Sequence, residues 1–293
     1  MTAHSNVAAV KGGVVDAHVH LWDPARLSYI WEASLPSLAR PCLPVDYDAA
    51  NGDFAVSAMV FVECTARMGQ FEQEVRFIEE LATREPRIGA IVMQASVEDG
   101  AKVGAFLDHM IETTPLLRGV RRVCSFEPDP DFLLRPEVIA GVRALGQRGL
   151  TFDMCIHFNQ LASVARFADA VGETRLILDH CGTTGMPEEA ADEWTRLLRE
   201  VAACGNVACK ISEIPWIGGE HGRERMTGIV SQVVEIFGFD CIVYGGDWPI
   251  CTLAKPLSAW IGLLDHALAK VDPADLTKFY RGNAMRFYRL AET

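Results

Sequence analysis

Eight short runs rich in β-branched and apolar residues recur along the chain, separated by longer stretches with helical periodicity, and this alternation limits the folds open to it. The runs are VVDAHVH (14–20), AVSAMVFVE (55–63), IGAIVMQA (88–95), LRGVRRV (117–123), LTFDMCIH (150–157), RLILDH (175–180), VACKIS (207–212) and CIVYGGD (241–247). Between them lie FEQEVRFIEELATRE (71–85), DFLLRPEVIAGVRALGQRG (131–149), EEAADEWTRLLREVAAC (188–204) and RERMTGIVSQVVEIFG (223–238). These space their apolar residues by three and four, and several close near a glycine, as amphipathic helices do. Alternating strand and helix implies parallel strands, and eight such units can close into a (β/α)8 TIM-type barrel. An open doubly wound sheet satisfies the same pattern, because periodicity carries no information on closure.

No Pro/Gly/Ser-rich linker, repeat or low-complexity segment divides the 293 residues, so one barrel domain over 14–293 follows an N-terminal tail, 1–13. The stretch LSYIWEASLPSLARPCLPVDYDAANGD (27–53) is too long and proline-rich for a plain connection. It reads as an extended first loop over the barrel mouth, with Trp31 placed to flank a ligand. A hydrophobic fraction of 49% against 23% charged residues fits a large buried core. The net charge of −12 argues against nucleic acid and anionic membrane surfaces as partners. MTAHSNVAAVKGG has no signal-peptide pattern and no apolar run reaches membrane-spanning length, so the expected location is cytoplasmic. Nine cysteines stand singly, without a CxxC pair, and read as reduced thiols. Cys155, Cys181 and Cys251 fall near the polar motifs.

Barrel enzymes build their active sites at the C-terminal ends of the strands. There this chain places His18 and His20, Glu63, Arg121 and Arg122, His157, Asp179 and His180, Lys210 and Glu213, and Asp247. Residues at i and i+2 share one face of a strand, so His18 and His20 can enter the mouth together, to bind a metal or polarise a carbonyl oxygen. Arg121 and Arg122 are adjacent and point to opposite faces, so one of them reaches the mouth, where a guanidinium would grip a carboxylate or polarised oxygen. Lys210 and Glu213 serve either the site or a structural ion pair with each other. In YGGDWP the two glycines let the backbone turn sharply ahead of Asp247, and Pro249 blocks a helix. His4, His109, His221 and His266 fall in the tail, helices or loops and are expected to be solvated.

In order and spacing, VDAHVHLWDP, LRGVRRV, LTFDMCI, LILDHCG, VACKIS and VYGGDWP resemble the amidohydrolase-related family that contains sugar lactonases and pyrone-dicarboxylate lactonase. The resemblance covers roughly residues 14–290 and implies a (β/α)8 barrel that hydrolyses the ring of a small lactone, a sugar acid lactone foremost. It implies Asp247 as the base for the attacking water and His18, His20 and His180 as the groups that activate the carbonyl. Arg121, Arg122, His157, Trp31 and Glu213 would contact substrate. One divalent metal, Zn²⁺ above all, would be held by His18, His20, Glu63, His180 and Asp247, and metal-independent catalysis is equally compatible. Relatives often read KLSG where this chain reads KISE, which puts Glu213 in place of a small residue. Arg stands where broader amidohydrolases carry a metal-bridging Lys on strand four, which argues against a binuclear site. Two other readings are a metal-dependent decarboxylase of a related barrel family and a catalytically dead barrel that only binds. Homo-oligomerisation is open.

Overall fold

The computed structural model describes residues 10–214 and 219–291; of the expected tail, residues 1–9, His4 among them, lie outside the described residues, as does the side chain of His221. Strands β1 (Val14–Val19), β2 (Val56–Val62), β3 (Ile88–Gln94), β4 (Leu117–Val123), β5 (Thr151–Cys155), β6 (Leu176–Leu178), β7 (Val207–Ile211) and β8 (Ile242–Tyr244) pair in sequence order as parallel neighbours. A helix follows each strand in turn: α1 (Pro44–Asn51), α2 (Phe71–Ala82), α3 (Val103–Thr113), α4 (Pro136–Gln147), α5 (Leu161–Val171), α6 (Ala191–Ala202), α7 (Gly219–Phe237) and α8 (Leu257–Ala267). Among the described residues no helix is long and apolar enough to cross a membrane.

The sheet closes on itself. Just beyond β8 the Asp247 amide donates to the His18 carbonyl at 2.8 Å, and the His20 amide donates to the Trp248 carbonyl at 2.8 Å. This seam makes the architecture a (β/α)8 barrel and excludes the open sheet.

Alternation along the strands sorts side chains by size. Outward rows carry bulk, such as Met59, Phe61, Ile91, Met93, Phe152 and Met154, which pack under the helices. Inward rows near the strand starts carry Ala58, Val60, Ala90, Val92, Ala208 and Val243, narrow enough to fill a barrel interior. The last segment closes that end: α9 (Pro273–Thr277), a π-helical turn over Lys278–Gly282 and α10 (Asn283–Phe287) bring Ala284, Phe287, Tyr288 and Leu290 against the same inward rows.

Most strands are a residue or more shorter than the sequence runs suggest. β6 and β8 keep only three residues each, and Asp179, His180 and Asp247 lie past their ends. The cause is local backbone: His180 has φ 55°, Glu213 φ 39° and Asp247 φ 54°. Left-handed non-glycine residues cannot continue a strand and are held only where the surroundings over-determine them.

Candidate active site

Strand β1 does more than alternate. Val15 and Ala17 lie with the inward rows, while Val14 and Val19 pack outside. Simple alternation from Ala17 would turn His18 outward. The register with β2 shifts between Asp16 and Val19, and such a bulge lets two successive residues face the same way. His18 and His20 therefore both point inward. Asp16 holds the distorted segment: its Oδ1 accepts from the His18 amide at 3.0 Å and the Gly246 amide at 2.8 Å, and its Oδ2 from the Tyr47 hydroxyl at 2.8 Å.

The glycines before Asp247 have a different role from the one expected. Neither lies in the left-handed region; that conformation belongs to Asp247 itself. A Cβ on Gly246 would come within 2.4 Å of Asp16 Oδ2, and one on Gly245 within 2.9 Å of the His18 Cβ. The pair is needed for close approach to β1.

A cavity of about 260 Å³ opens where the strands end. His20, Arg121, His180, Glu213 and Asp247 supply its polar floor, and Trp22, Trp31, Leu35, Val123, Phe126 and Ile250 its apolar walls. The first loop does fold over this mouth: Trp31 stacks on Tyr29 at 5.4 Å between ring centres and donates its indole N–H to the Cys64 carbonyl at 2.8 Å. Beneath the floor, His18 is fully buried. Its Nε2 lies 3.2 Å from His20 Nε2 and 3.3 Å from Asp247 Oδ1, and His20 Nε2 lies 3.5 Å from the same oxygen.

Proton placement follows from the partners. His20 Nδ1 lies 2.8 Å from the Val62 carbonyl, which only a ring N–H can satisfy, so in the neutral ring Nε2 is a lone pair. Burial first, then Lys210 and the neighbouring imidazoles, hold His18 well below the ordinary imidazole value, which favours its neutral ring. Arg121 Nη1 donates to its Nε2 at 3.2 Å. Three acceptor atoms thus crowd together with one guanidinium to offset them, and Asp247 Oδ2 is buried without a hydrogen-bond partner among the described residues. Donors around a tetrahedral zinc, at bond lengths of about 2.0–2.1 Å, stand about 3.3–3.4 Å apart. The 3.2, 3.3 and 3.5 Å separations here match that spacing, so His18, His20 and Asp247 fit a divalent cation.

His180 completes the floor. Its Nδ1 contacts Ser212 Oγ at 2.9 Å and its Nε2 faces Glu213 Oε2 at 3.4 Å. Burial opposes its charge, but Glu213, the Cys155 thiol and Asp247 outweigh burial and push the group up to about 10, so it is an imidazolium at neutral pH.

Several expected residues take other places. Glu63 does not line the cavity; its Oε1 accepts from Arg121 Nε at 2.7 Å, its carbonyl from Nη2 at 2.6 Å and its Oε2 from the Thr65 amide at 2.6 Å. With those lone pairs engaged, it serves as the anchor of Arg121. Arg122 lies on the outer side of β4 and pairs with Glu98 at 3.1 Å and with Glu127. His157 is also outside the lining: it caps the turn after β5, its Nδ1 3.0 Å from Asn159 Oδ1, with Gly185 packed on its ring. Lys210 does not pair with Glu213 but with Asp153 at 2.8 Å and Asp179 at 2.9 Å, inside the barrel. His109 and His266 are exposed. Trp22 was not singled out in the sequence, although it shares the i, i+2 face of His18 and His20. The buried aspartate in TFDMC was missed too, and a charge inside an apolar strand was its signal.

Known proteins share this arrangement of chain. A family model described as Amidohydrolase matches residues 15–290. An L-fucono-1,5-lactonase of Burkholderia multivorans is 29% identical over 293 residues, covering 95% of this chain and 96% of that one. An L-fucono-1,5-lactonase of Burkholderia ambifaria is 24% identical over 282 residues, covering 94% and 95%. A solved amidohydrolase of Burkholderia multivorans with bound zinc superposes with a TM-score of 0.83 at 26% identity, covering 95% of this chain and all of that one.

Proposed function

The chain belongs to the amidohydrolase family, and from that premise we propose that it hydrolyses the ring ester of a small sugar-acid lactone. The observation that carries the reading is Asp247. Its carboxylate sits on the cavity floor with Oδ1 at 3.3 and 3.5 Å from two imidazoles and Oδ2 without a hydrogen-bond partner among the described residues. The lactonases named among its relatives support the ester as substrate.

In this reading Asp247 takes a proton from water as the oxygen attacks the lactone carbonyl carbon. The His180 imidazolium and the N–H groups that Arg121 does not spend on Glu63 and His18 meet the negative charge that develops on the carbonyl oxygen. Such donors are typically worth about 10²- to 10³-fold in rate. Asp247 then returns its proton to the ring oxygen as the carbon–oxygen bond breaks, leaving a hydroxy acid. A divalent cation held by His18, His20 and Asp247 would act as a Lewis acid on the same carbonyl. Trp22 and Trp31 would hold the ring and exclude water from its far face.

Titration of released acid against a panel of aldonolactones tests the reading. We expect turnover of at least one sugar lactone, and Asp247→Asn, still folded by circular dichroism, to lower kcat by about 10²- to 10⁴-fold. A folded variant that keeps more than about a tenth of the activity would remove Asp247 as the base. Carbon dioxide release from hydroxybenzoates without acid release from lactones would favour a decarboxylase.

A further inference from the structure

Below the cavity floor, inside the barrel, lies a polar cluster that the hydrolysis steps do not use. Lys210 is completely buried, with Nζ 2.8 Å from Asp153 Oδ2 and 2.9 Å from Asp179 Oδ1. Asp153 is held in turn by the Tyr288 hydroxyl at 2.6 Å and the Thr151 hydroxyl at 3.2 Å. Asp179 is the upper end of the cluster, its Oδ1 3.7 Å from His18 Nδ1. Among the described residues, His18 Nδ1 has no hydrogen-bond partner, so this carboxylate is the polar group it faces.

From this juxtaposition we propose that Asp179, fixed by Lys210, is the positioning residue that sets the tautomer of His18. The proposal rests on the reading of His18 as part of the hydrolytic floor. Asp247 Oδ1, 3.3 Å from Nε2, would favour the opposite tautomer, but Arg121 Nη1, which can only donate, offsets it there at 3.2 Å. On the other side an imidazole beside an ionised carboxylate turns an N–H toward it, since a lone pair would face a negative charge in a dry interior. With the proton on Nδ1, the Nε2 lone pair of His18 is presented to Arg121, His20 and Asp247, the arrangement the floor requires. The buried Lys210 ammonium, 2.9 Å from Asp179 Oδ1, favours the ionised form of that carboxyl.

The backbone serves this placement. Neighbours on a strand point to opposite faces, yet Asp179 enters the barrel while His180 enters the cavity. The left-handed His180 and Cys181, both at φ 55°, make the turn that allows it. At the other end of the cluster, Tyr288 belongs to the C-terminal segment, so the chain's last turns reach, through Asp153, Lys210 and Asp179, to the ring of His18.

The test reads the tautomer directly. In protein labelled with ¹⁵N-histidine, the ring nitrogen shifts of His18, assigned by their loss in His18→Gln, are recorded as purified and after chelator treatment, without substrate. We expect Nδ1–H in both states. In Asp179→Asn after chelation the Nε2–H form should gain population, and kcat should fall about 10²-fold with KM within threefold. Lys210→Arg should keep the wild-type spectrum, and Lys210→Met should follow Asp179→Asn. His18 protonated on Nε2 in the chelated wild-type protein overturns the proposal even if every Asp179 and Lys210 variant fails to fold. So does a folded Asp179→Asn with an unchanged His18 spectrum or with kcat within threefold. A wild-type protein inactive on every lactone would remove the functional reading instead, and the spectrum would still decide the tautomer.

Discussion

Gly246 shows how little room the site leaves at single residues. A Cβ there would meet Asp16 Oδ2 at 2.4 Å, and Asp16 is the carboxylate that gathers the amides of His18 and Gly246 and the Tyr47 hydroxyl. Gly246→Ala must displace that carboxylate or widen the seam. We expect a cost of about 2–4 kcal/mol, seen as a lower thermal midpoint, together with a drop in kcat because Asp247 is the next residue. An alanine variant that melts with the wild type would show that the seam has slack. Trp31 makes the contrasting case. It is only half-buried, so Trp31→Ala should leave the thermal midpoint within a few degrees while raising KM for a lactone several-fold; a KM unchanged in steady-state kinetics would take the indole out of the ligand's reach.

At the level of elements, helix α2 brings an unusual group to the barrel wall. Glu74 is fully buried, its Oε1 accepting from the Cys64 amide at 3.1 Å and its Oε2 unpartnered among the described residues. Burial first, and then the nearby Glu63 carboxylate, push it well above the ordinary 4.5. A group raised in the folded state favours folding below its unfolded value and loses that contribution as pH rises through the folded value. Glu74→Gln keeps the acceptor and removes the ionisation. It should therefore raise stability at pH 7–8, and the gain should shrink toward pH 4.5 in denaturant titrations; a gain that grows in acid would reverse the sign. The elements themselves were largely legible. Eight apolar runs gave eight strands in order, and the i, i+2 spacing of the two histidines marked a shared face. What the sequence concealed was irregular backbone: the bulge in β1 that turns His18 inward, and the left-handed turns at His180, Glu213 and Asp247. Those conformations are imposed by tertiary contacts, and no residue type among them announces a positive φ. The pairing of Arg121 with Glu63, 58 residues apart, is likewise a product of closure.

On the scale of the whole molecule, the barrel is closed at one end by its final segment and at its seam by the residues of the floor. Cutting the chain before Asn283 would expose the inward alanines and valines and remove the bonds from Asn283 Nδ2 to the carbonyls of Phe239 at 2.6 Å and Ile242 at 2.8 Å. We expect that truncation to abolish cooperative thermal unfolding, whereas Tyr288→Phe, which loses one hydrogen bond, should still melt cooperatively. The cavity has a further consequence. Its walls are aromatic and aliphatic, and two of its floor groups, Asp247 and Glu213, are acids. An uncharged ring can enter such a space at little electrostatic cost, but once it opens, the product carries a fresh anion between the His180 and Arg121 cations and the Asp247 carboxylate, with little water to screen any of them. Attraction and repulsion are thus opposed on one small floor, so removing the Asp247 charge in Asp247→Asn should make the hydroxy acid a tighter inhibitor than it is of the wild type.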